Sequence, residues 1–373
     1  MALRKNLKTW IEIDKNAVAH NVGIFKNLLG NKTKLYSVVK SNAYGHGITV
    51  FPKIADEAGV DGFCVDCVEE GKALRSQGIK KPILTLGYTL PQLFPVAERY
   101  GLMLTVSTFE SLTAIAKLRE KPMIHLKIDT GMHRQGFYKK DIRQIILEVK
   151  KYTIPLEGVY THFASAKDIN YPTYTDEQFK IFKEVVELFK KAGFKDISCH
   201  AAATGGTLVN KKYHLDMVRL GIGLYGLWPS KELEMQLGGE IALKPVLSWK
   251  AITSEIKEIK KGEYVGYDLT YRALKPRTLA VVPVGYWHGL PRTYAQSGTV
   301  LIHGKEASIV GKVSMDVILV DVSGIPCRVG DTAVLIGRAG NGELSAFDVA
   351  QKMGTVHYEV VTRLNPLTER VSV

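Results

Sequence analysis

A lysine, two arginines, two histidines and a threonine stand where a fold could gather them for chemistry. Lys40 closes the apolar run SVVK and is followed by small, polar and glycine residues, SNAYGHG. A lysine amine attacks a carbonyl when it is partly desolvated or lies near another cation, because either lowers its pKa. Arg134 in DTGMHRQG and Arg219 in MVRLGI are fixed cations suited to anions or to the electronics of a ring. His162, His200 and Thr204 each follow an apolar run. Gly221, Gly223 and Gly226 spell GxGxxG, but a dinucleotide fingerprint opens a helix after the first strand of a βαβ unit, and here Trp228–Pro229 follows at once. These glycines instead let backbone N–H groups approach an anion, or permit a tight turn. His162, His200 and Asp129 lack any metal-ligand spacing, so no metal is expected. Cys64 and Cys67 form a lone CVDC without a second CxxC and read as buried thiols. A lysine, an anion cradle and a partner for a ring nitrogen together suggest a carbonyl-bearing, phosphorylated cofactor, and pyridoxal phosphate requires all three.

The elements must bring these residues to one place. Strand-like runs occur at KLYSVVK, GFCV (62–65), ILTLG (83–87), LMLTV (102–106), MIHLKI (123–128), LEGVYTH (156–162), DISCH (196–200) and MVRLGI (217–222). Amphipathic segments separate them; the clearest puts Phe179, Phe182, Val186 and Phe189 on one face. Eight strand–helix alternations predict a (β/α)8 barrel, with a doubly wound sheet as the rival. In a barrel, chemistry collects at the C-terminal strand ends. Lys40 would end the first strand, His162 the sixth and His200 the seventh. Arg134 would follow the fifth and Arg219 would lie in the eighth.

Before the first barrel strand stands another, TWIEID, then a helix after Asp14 with Val18, Val22, Phe25 and Leu29 on one face. From about residue 244 the chain turns to short strands and turns, such as TLAVVPVGY, GTVLIHG and DTAVLIG. This predicts a barrel domain over 1–236 and a mainly β domain over 237–373. Hydrophobic residues make up 46% and charged residues 23% of the 373, which excludes a disordered chain. The net charge of +13 is carried by scattered lysines, so no nucleic-acid partner is expected, though it favours an anionic substrate. No apolar run has signal or membrane-span length, so a cytoplasmic protein is expected.

Eight motifs, VVKSNAYGHG, LKIDTGMHRQG, GVYTHFASA, DMVRLGIGLYG, VGYDLTY, VPVGY, GKVSMD and HYEVVTRL, resemble the alanine racemase family in order and spacing. The resemblance implies a (β/α)8 barrel followed by a β domain that also takes the first strand. It implies a homodimer whose active sites draw on both chains, with pyridoxal 5'-phosphate interconverting L- and D-alanine, chiefly for peptidoglycan. Lys40 matches the Schiff-base lysine, which also serves as base on one face of the substrate. Tyr267 matches the base on the other face, supplied by the partner chain. Arg219 matches the arginine facing the pyridine nitrogen, with His162 in the same hydrogen-bonded chain. An arginine there can only donate, so the nitrogen stays unprotonated and the ring is a weaker electron sink.

Arg134 matches the arginine near the cofactor phenolate and the substrate carboxylate. Met315 matches a partner residue that offers its backbone N–H to that carboxylate. Tyr44, Thr204, Gly221, Ile222 and Tyr358 match phosphate-binding positions. Lys127, His200, Tyr286 and Asp316 match supporting positions; Tyr286 and Tyr358 narrow the entrance, and Lys127 is a lysine often N-carboxylated. The chain departs from the family at Ala203, where Asn is common, and at His133, Trp287 and His288 in DTGMHR and GYWHG. These departures keep open a preference for serine or a broader set of amino acids. A non-catalytic cofactor-binding protein and a decarboxylase are the further alternatives; Tyr267 and the β domain speak against the first and Arg219 against the second.

Overall fold

A computed structural model describes residues 6–373 of the chain. After β1 (Thr9–Ile13) come eight strands: β2 (Lys34–Val38), β3 (Gly62–Val65), β4 (Ile83–Thr85), β5 (Leu102–Val106), β6 (Ile124–Lys127), β7 (Leu156–Tyr160), β8 (Ser198–His200) and β9 (Met217–Leu220). They pair in the order β8-β7-β6-β5-β4-β3-β2-β9, and every ladder is parallel. The seam between β8 and β9 is joined by single bonds instead of a ladder: Asp216 N–H to Cys199 O at 3.1 Å and Arg219 N–H to Ala202 O at 3.0 Å. The result is a nearly closed eight-stranded parallel barrel, not a doubly wound sheet. Its longest helix, Thr173–Lys191, buries Phe179, Phe182, Val186 and Phe189, the face the periodicity predicts.

The register fixes which side chains point inward. Thr105 pairs with His125, His125 with Gly158, and Tyr160 with His200, while Tyr36 pairs with Arg219. Neighbours in a parallel ladder face the same way, and residues two apart along a strand do too. The interior therefore holds a polar layer within a largely apolar barrel. Gly158 makes room for it, since a Cβ there would lie 2.4 Å from His125 Nδ1.

The chain divides into two compact units. The barrel unit is 16–43 with 51–244, and the second unit is 1–15, 44–50 and 245–373. In the second unit β1 pairs antiparallel with β10 (Leu247–Ile252) and parallel with a C-terminal strand, Arg370–Ser372. The sheet continues through Thr332–Ala339, Thr299–Ile302, Lys305–Val310, Ile318–Asp321, Arg277–Val282 and Glu255–Ile259. Two short helices, Ala346–Met353 and His357–Thr362, accompany it. Among the described residues, no helix is long and apolar enough to cross a membrane.

Candidate functional site

The chain around Lys40 is strained. Strand β2 stops at Val38, so Lys40 does not end the strand as expected but opens the turn after it. Ser41, Asn42, Ala43 and Tyr44 follow with φ of 55°, 56°, 53° and 51°, four consecutive residues in the left-handed region. Each costs about 1–2 kcal/mol in a side-chain-bearing residue, and such strain clusters at functional sites. Of the ten described non-glycine residues with positive φ, seven (Ser41 to Tyr44, His133, Asp268 and Leu269) flank sequence-predicted site residues. The start of the turn is held by Glu70, whose carboxylate accepts from Ser41 N–H at 2.6 Å and Asp66 N–H at 2.8 Å.

Arg219 is the hub of the barrel interior. It is 3% exposed and donates to His200 Nδ1, to Thr161 O at 2.8 Å and to Ala201 O at 3.0 Å, with His162 Nδ1 at 3.3 Å. Its carbon also lies 4.8 Å from the Tyr160 ring, which stacks on His200. None of these partners is a carboxylate. Because Arg219 can only donate, His200 Nδ1 must accept, so the other ring nitrogen, Nε2, carries the proton. Nε2 lies 2.9 Å from His125 Nδ1, which accepts in turn. Burial and the Arg219 charge push His125 down to about 3, and push His200 well below its ordinary range. His162 is likewise pushed well down by burial, then by Arg219, Lys127, Arg134 and Lys40. Four cations thus act on one histidine, so they converge.

Lys127 is buried at the end of β6, with Nζ 3.3 Å from Gln135 Oε1. Burial, then the Arg134 and Arg219 charges, lower its pKa to about 8. The loop after it is organised by Asp129, whose carboxylate accepts from the N–H groups of Gly131, His133 and Arg134 at 2.9, 3.0 and 3.1 Å. Asp129 is therefore a loop organiser. His133 takes φ 53° in that loop, and both His133 and Arg134 are exposed. On the far side of the barrel, Gly221 and Ile222 follow β9 and are buried. Gly223 N–H lies 3.3 Å from Thr204 Oγ1, and a Cβ on Gly223 would come within 2.6 Å of Thr204 Cγ2. The glycine thus lets the GIGLYG backbone reach the threonine hydroxyl. Ala203 starts the helix Thr204–Val209 without a side-chain cap.

In the second unit Tyr44 and Tyr358 meet, with ring centroids 6.3 Å apart. Burial and the neighbouring Tyr44 push the Tyr358 phenol up, so it stays a proton donor. Tyr267, Tyr286 and Met315 are 67%, 42% and 54% exposed, on loops tied to one another. Tyr286 N–H donates to Ser314 O and Trp287 N–H to Met315 O, each at 3.0 Å, and Lys312 pairs with Asp268. Asp316 lies on the same loop as Met315. His288 is buried, with its Nδ1 accepting from Gly285 N–H at 3.2 Å, so of the two unusual residues in GYWHG only Trp287 faces outward.

The barrel therefore gathers Lys40, Lys127, Arg134, His162, His200, Thr204, Arg219, Gly221 and Ile222. The second unit gathers Tyr44 with Tyr358, and Tyr267, Tyr286, Met315 and Asp316 on its exposed loops. Glu70, His125 and Gln135 are additions that sequence reasoning missed. His125 and Lys127 share the period-two inward face of β6, the one signal that pointed to it. The donor set is cationic and hydrogen-bond donating, suited to a phosphate and a carboxylate.

A family model described as alanine racemase, N-terminal domain, matches residues 13–229, and one described as alanine racemase, C-terminal domain, matches 246–372. The alanine racemase of Halothermothrix orenii is 39% identical over 368 residues, covering 97% of this chain and 96% of that protein. That of Leptospira interrogans is 35% identical over 379 residues, covering 100% and 97%. Among solved structures, alanine racemase of Bacillus anthracis with bound L-Ala-P superposes with a TM-score of 0.92 at 34% identity, covering 98% of this chain and 95% of that one. Alanine racemase of Clostridium difficile 630 gives 0.93 at 34% identity, covering 99% and 97%.

Proposed function

The chain belongs to the alanine racemase family, and on that premise we propose that it interconverts L- and D-alanine with pyridoxal 5'-phosphate, supplying D-alanine for peptidoglycan. The observation that carries the cofactor reading is Arg219: a buried guanidinium with only neutral hydrogen-bond partners, aimed by a histidine of fixed tautomer. Such a group suits a ring nitrogen that accepts and is never protonated. When bound, the cofactor supplies an aldehyde that links to an amine and a ring that draws electrons from the substrate's α-carbon.

The chain's own residues do the rest. Lys40 would tether the cofactor through Nζ when no substrate is bound and, with that amine free again, would move the α-proton on one face of the substrate. Tyr267 Oη of a second copy moves it on the other face. A base on each face inverts the centre without turning the bound molecule. A phenol is intrinsically a weak base, and a nearby positive charge makes any phenol easier to ionise. Arg134 and the Met315 N–H of the second copy orient the substrate carboxylate. By the family resemblance, Tyr44, Thr204, Tyr358 and the Gly221 and Ile222 N–H groups would hold the phosphate. With its pKa near 8, Lys127 has a free amine fraction at neutral pH that can add carbon dioxide, releasing one proton and leaving a carbamate beside Arg134. That carbamate would brace Arg134, where an ammonium would repel it.

The test is direct. Cofactor-loaded protein is reduced with borohydride and mapped, and the same sample is assayed for both directions of alanine racemisation, with a panel including serine and chiral analysis of products. Label on Lys40 and turnover of alanine are expected, and Lys40→Ala loses both. Label absent from Lys40, or no interconversion of any amino acid, overturns the reading.

A further inference from the structure

Arg370 has no role among the residues assigned above, yet it is 8% exposed and spends all five of its N–H groups on backbone carbonyls. Nε and Nη2 donate to Gly45 O at 3.1 and 2.9 Å. Nη1 donates to Asn365 O and Thr368 O, each at 2.5 Å, and Nη2 also reaches Leu364 O at 3.2 Å. With no donor left over, Arg370 cannot itself bind an anion. What it does is hold a carbonyl, that of Gly45, the residue directly after Tyr44.

The chain at Gly45 has no slack. Gly45 has φ +78°, and a Cβ there would lie 1.8 Å from Val361 O. Val361 belongs to His357–Thr362, the short helix that carries Tyr358. At Gly47, φ is +97° and a Cβ would lie 3.2 Å from Arg370 Cγ. The segment after the left-handed turn is thus laid against the helix of Tyr358 and drawn there by one guanidinium. Four left-handed residues in a row will not keep this course unaided, because each is disfavoured on its own.

We propose that Arg370 positions the cofactor's phosphate subsite, fixing Tyr44 opposite Tyr358 by holding the Gly45 carbonyl. The inference rests on the reading of Tyr44 and Tyr358 as phosphate-binding residues. Arg370 is a positioning residue and not a ligand. A lysine cannot replace it, because an ammonium has three donors and no planar fork for five carbonyl bonds.

The test separates phosphate binding from general packing. Wild type, Tyr44→Phe, Arg370→Met and Arg370→Lys are stripped of cofactor and titrated, by absorbance, with pyridoxal phosphate and with pyridoxal, which lacks the phosphate. Thermal melts of the stripped proteins run alongside. Both Arg370 variants should weaken pyridoxal phosphate binding by about ten- to a hundredfold, as Tyr44→Phe does, the loss of a hydrogen bond to a charged group. Pyridoxal affinity should stay within about twofold of wild type. If Arg370→Met does not fold, Arg370→Lys, which keeps the cation, carries the comparison. Unchanged pyridoxal phosphate affinity, or an equal loss for both ligands, overturns the proposal. Wild-type protein that takes up no pyridoxal phosphate sinks the functional reading and this inference with it; impaired Tyr44→Phe beside unimpaired Arg370 variants sinks this inference alone.

Discussion

Among the described residues, Arg219 is a buried cation with no carboxylate partner, and its neighbours are neutral because of it. Beside Arg219, a protonated His200 or His125 would bring a second positive charge into the same low-dielectric interior, so both are held neutral. This has a consequence for stability. In the unfolded chain both histidines titrate near 6.5, whereas in the folded chain they stay neutral, His125 down to about 3. Below pH 6.5 the unfolded state therefore binds more protons, and stability falls as pH falls, by about 1.4 kcal/mol per pH unit for each histidine. Denaturant unfolding at pH 7, 6 and 5 should show stability falling, with other depressed histidines such as His162 adding to the fall, and His125→Gln should flatten it by one histidine's share; an unchanged slope in the variant would show that His125 is protonated in the native protein. A second residue-scale prediction concerns direction. With Tyr267 on one face only, Tyr267→Phe should slow α-proton removal from L-alanine more than from D-alanine, read as solvent-deuterium exchange from each enantiomer. Equal losses would count against a one-face role.

At the scale of elements, loops that hold the site do so by close backbone contact, which makes single glycines sensitive. Gly285 has an extended backbone, so its φ is no constraint, but a Cβ there would lie 2.2 Å from Ser314 O and 2.3 Å from Met315 O. Gly285→Ala should therefore part the Tyr286 loop from the Met315 loop, costing about 1–3 kcal/mol in a melt and lowering kcat/KM for alanine; a stable variant with normal kcat/KM would show that the two loops need not touch. Such contacts mark where sequence legibility ends. The barrel was readable because eight short strand-like runs alternate with helical segments, and His200 and Arg219 could be placed by counting them. The left-handed turn Ser41–Tyr44 was not readable: Asn42 and Gly45 favour such a backbone, but Ser41, Ala43 and Tyr44 do not, and what holds it comes from Glu70, a non-local bond. His125 looked like one more residue in an apolar strand. His288 looked like a departure at the mouth, although its burial and its bond to Gly285 N–H make it part of the loop's own packing.

For the molecule as a whole, the second unit carries several large apolar side chains in the open. Tyr264, Tyr267, Leu269 and Leu274 are 50–79% exposed within eleven residues of sequence, and Trp287 and Met315 are 54% each. Patches of this kind mark interaction surfaces, and the family reading assigns this one to a second copy of the chain, with Tyr267 serving that copy's Lys40. A symmetric dimer built so has a distinctive genetics. Lys40→Ala and Tyr267→Phe each disable both sites of their own homodimer. When the two inactive proteins are mixed and allowed to exchange subunits, the mixed dimer carries both defects in one site and neither in the other. Random exchange at equal amounts makes half the dimers mixed, each with one of two sites intact, so about a quarter of wild-type specific activity should return. The return should follow the exchange measured by mass, and should disappear in a single chain carrying both substitutions. If exchange is complete and no activity returns, Lys40 and Tyr267 of the same chain serve the same site, and the exposed tyrosine needs another explanation.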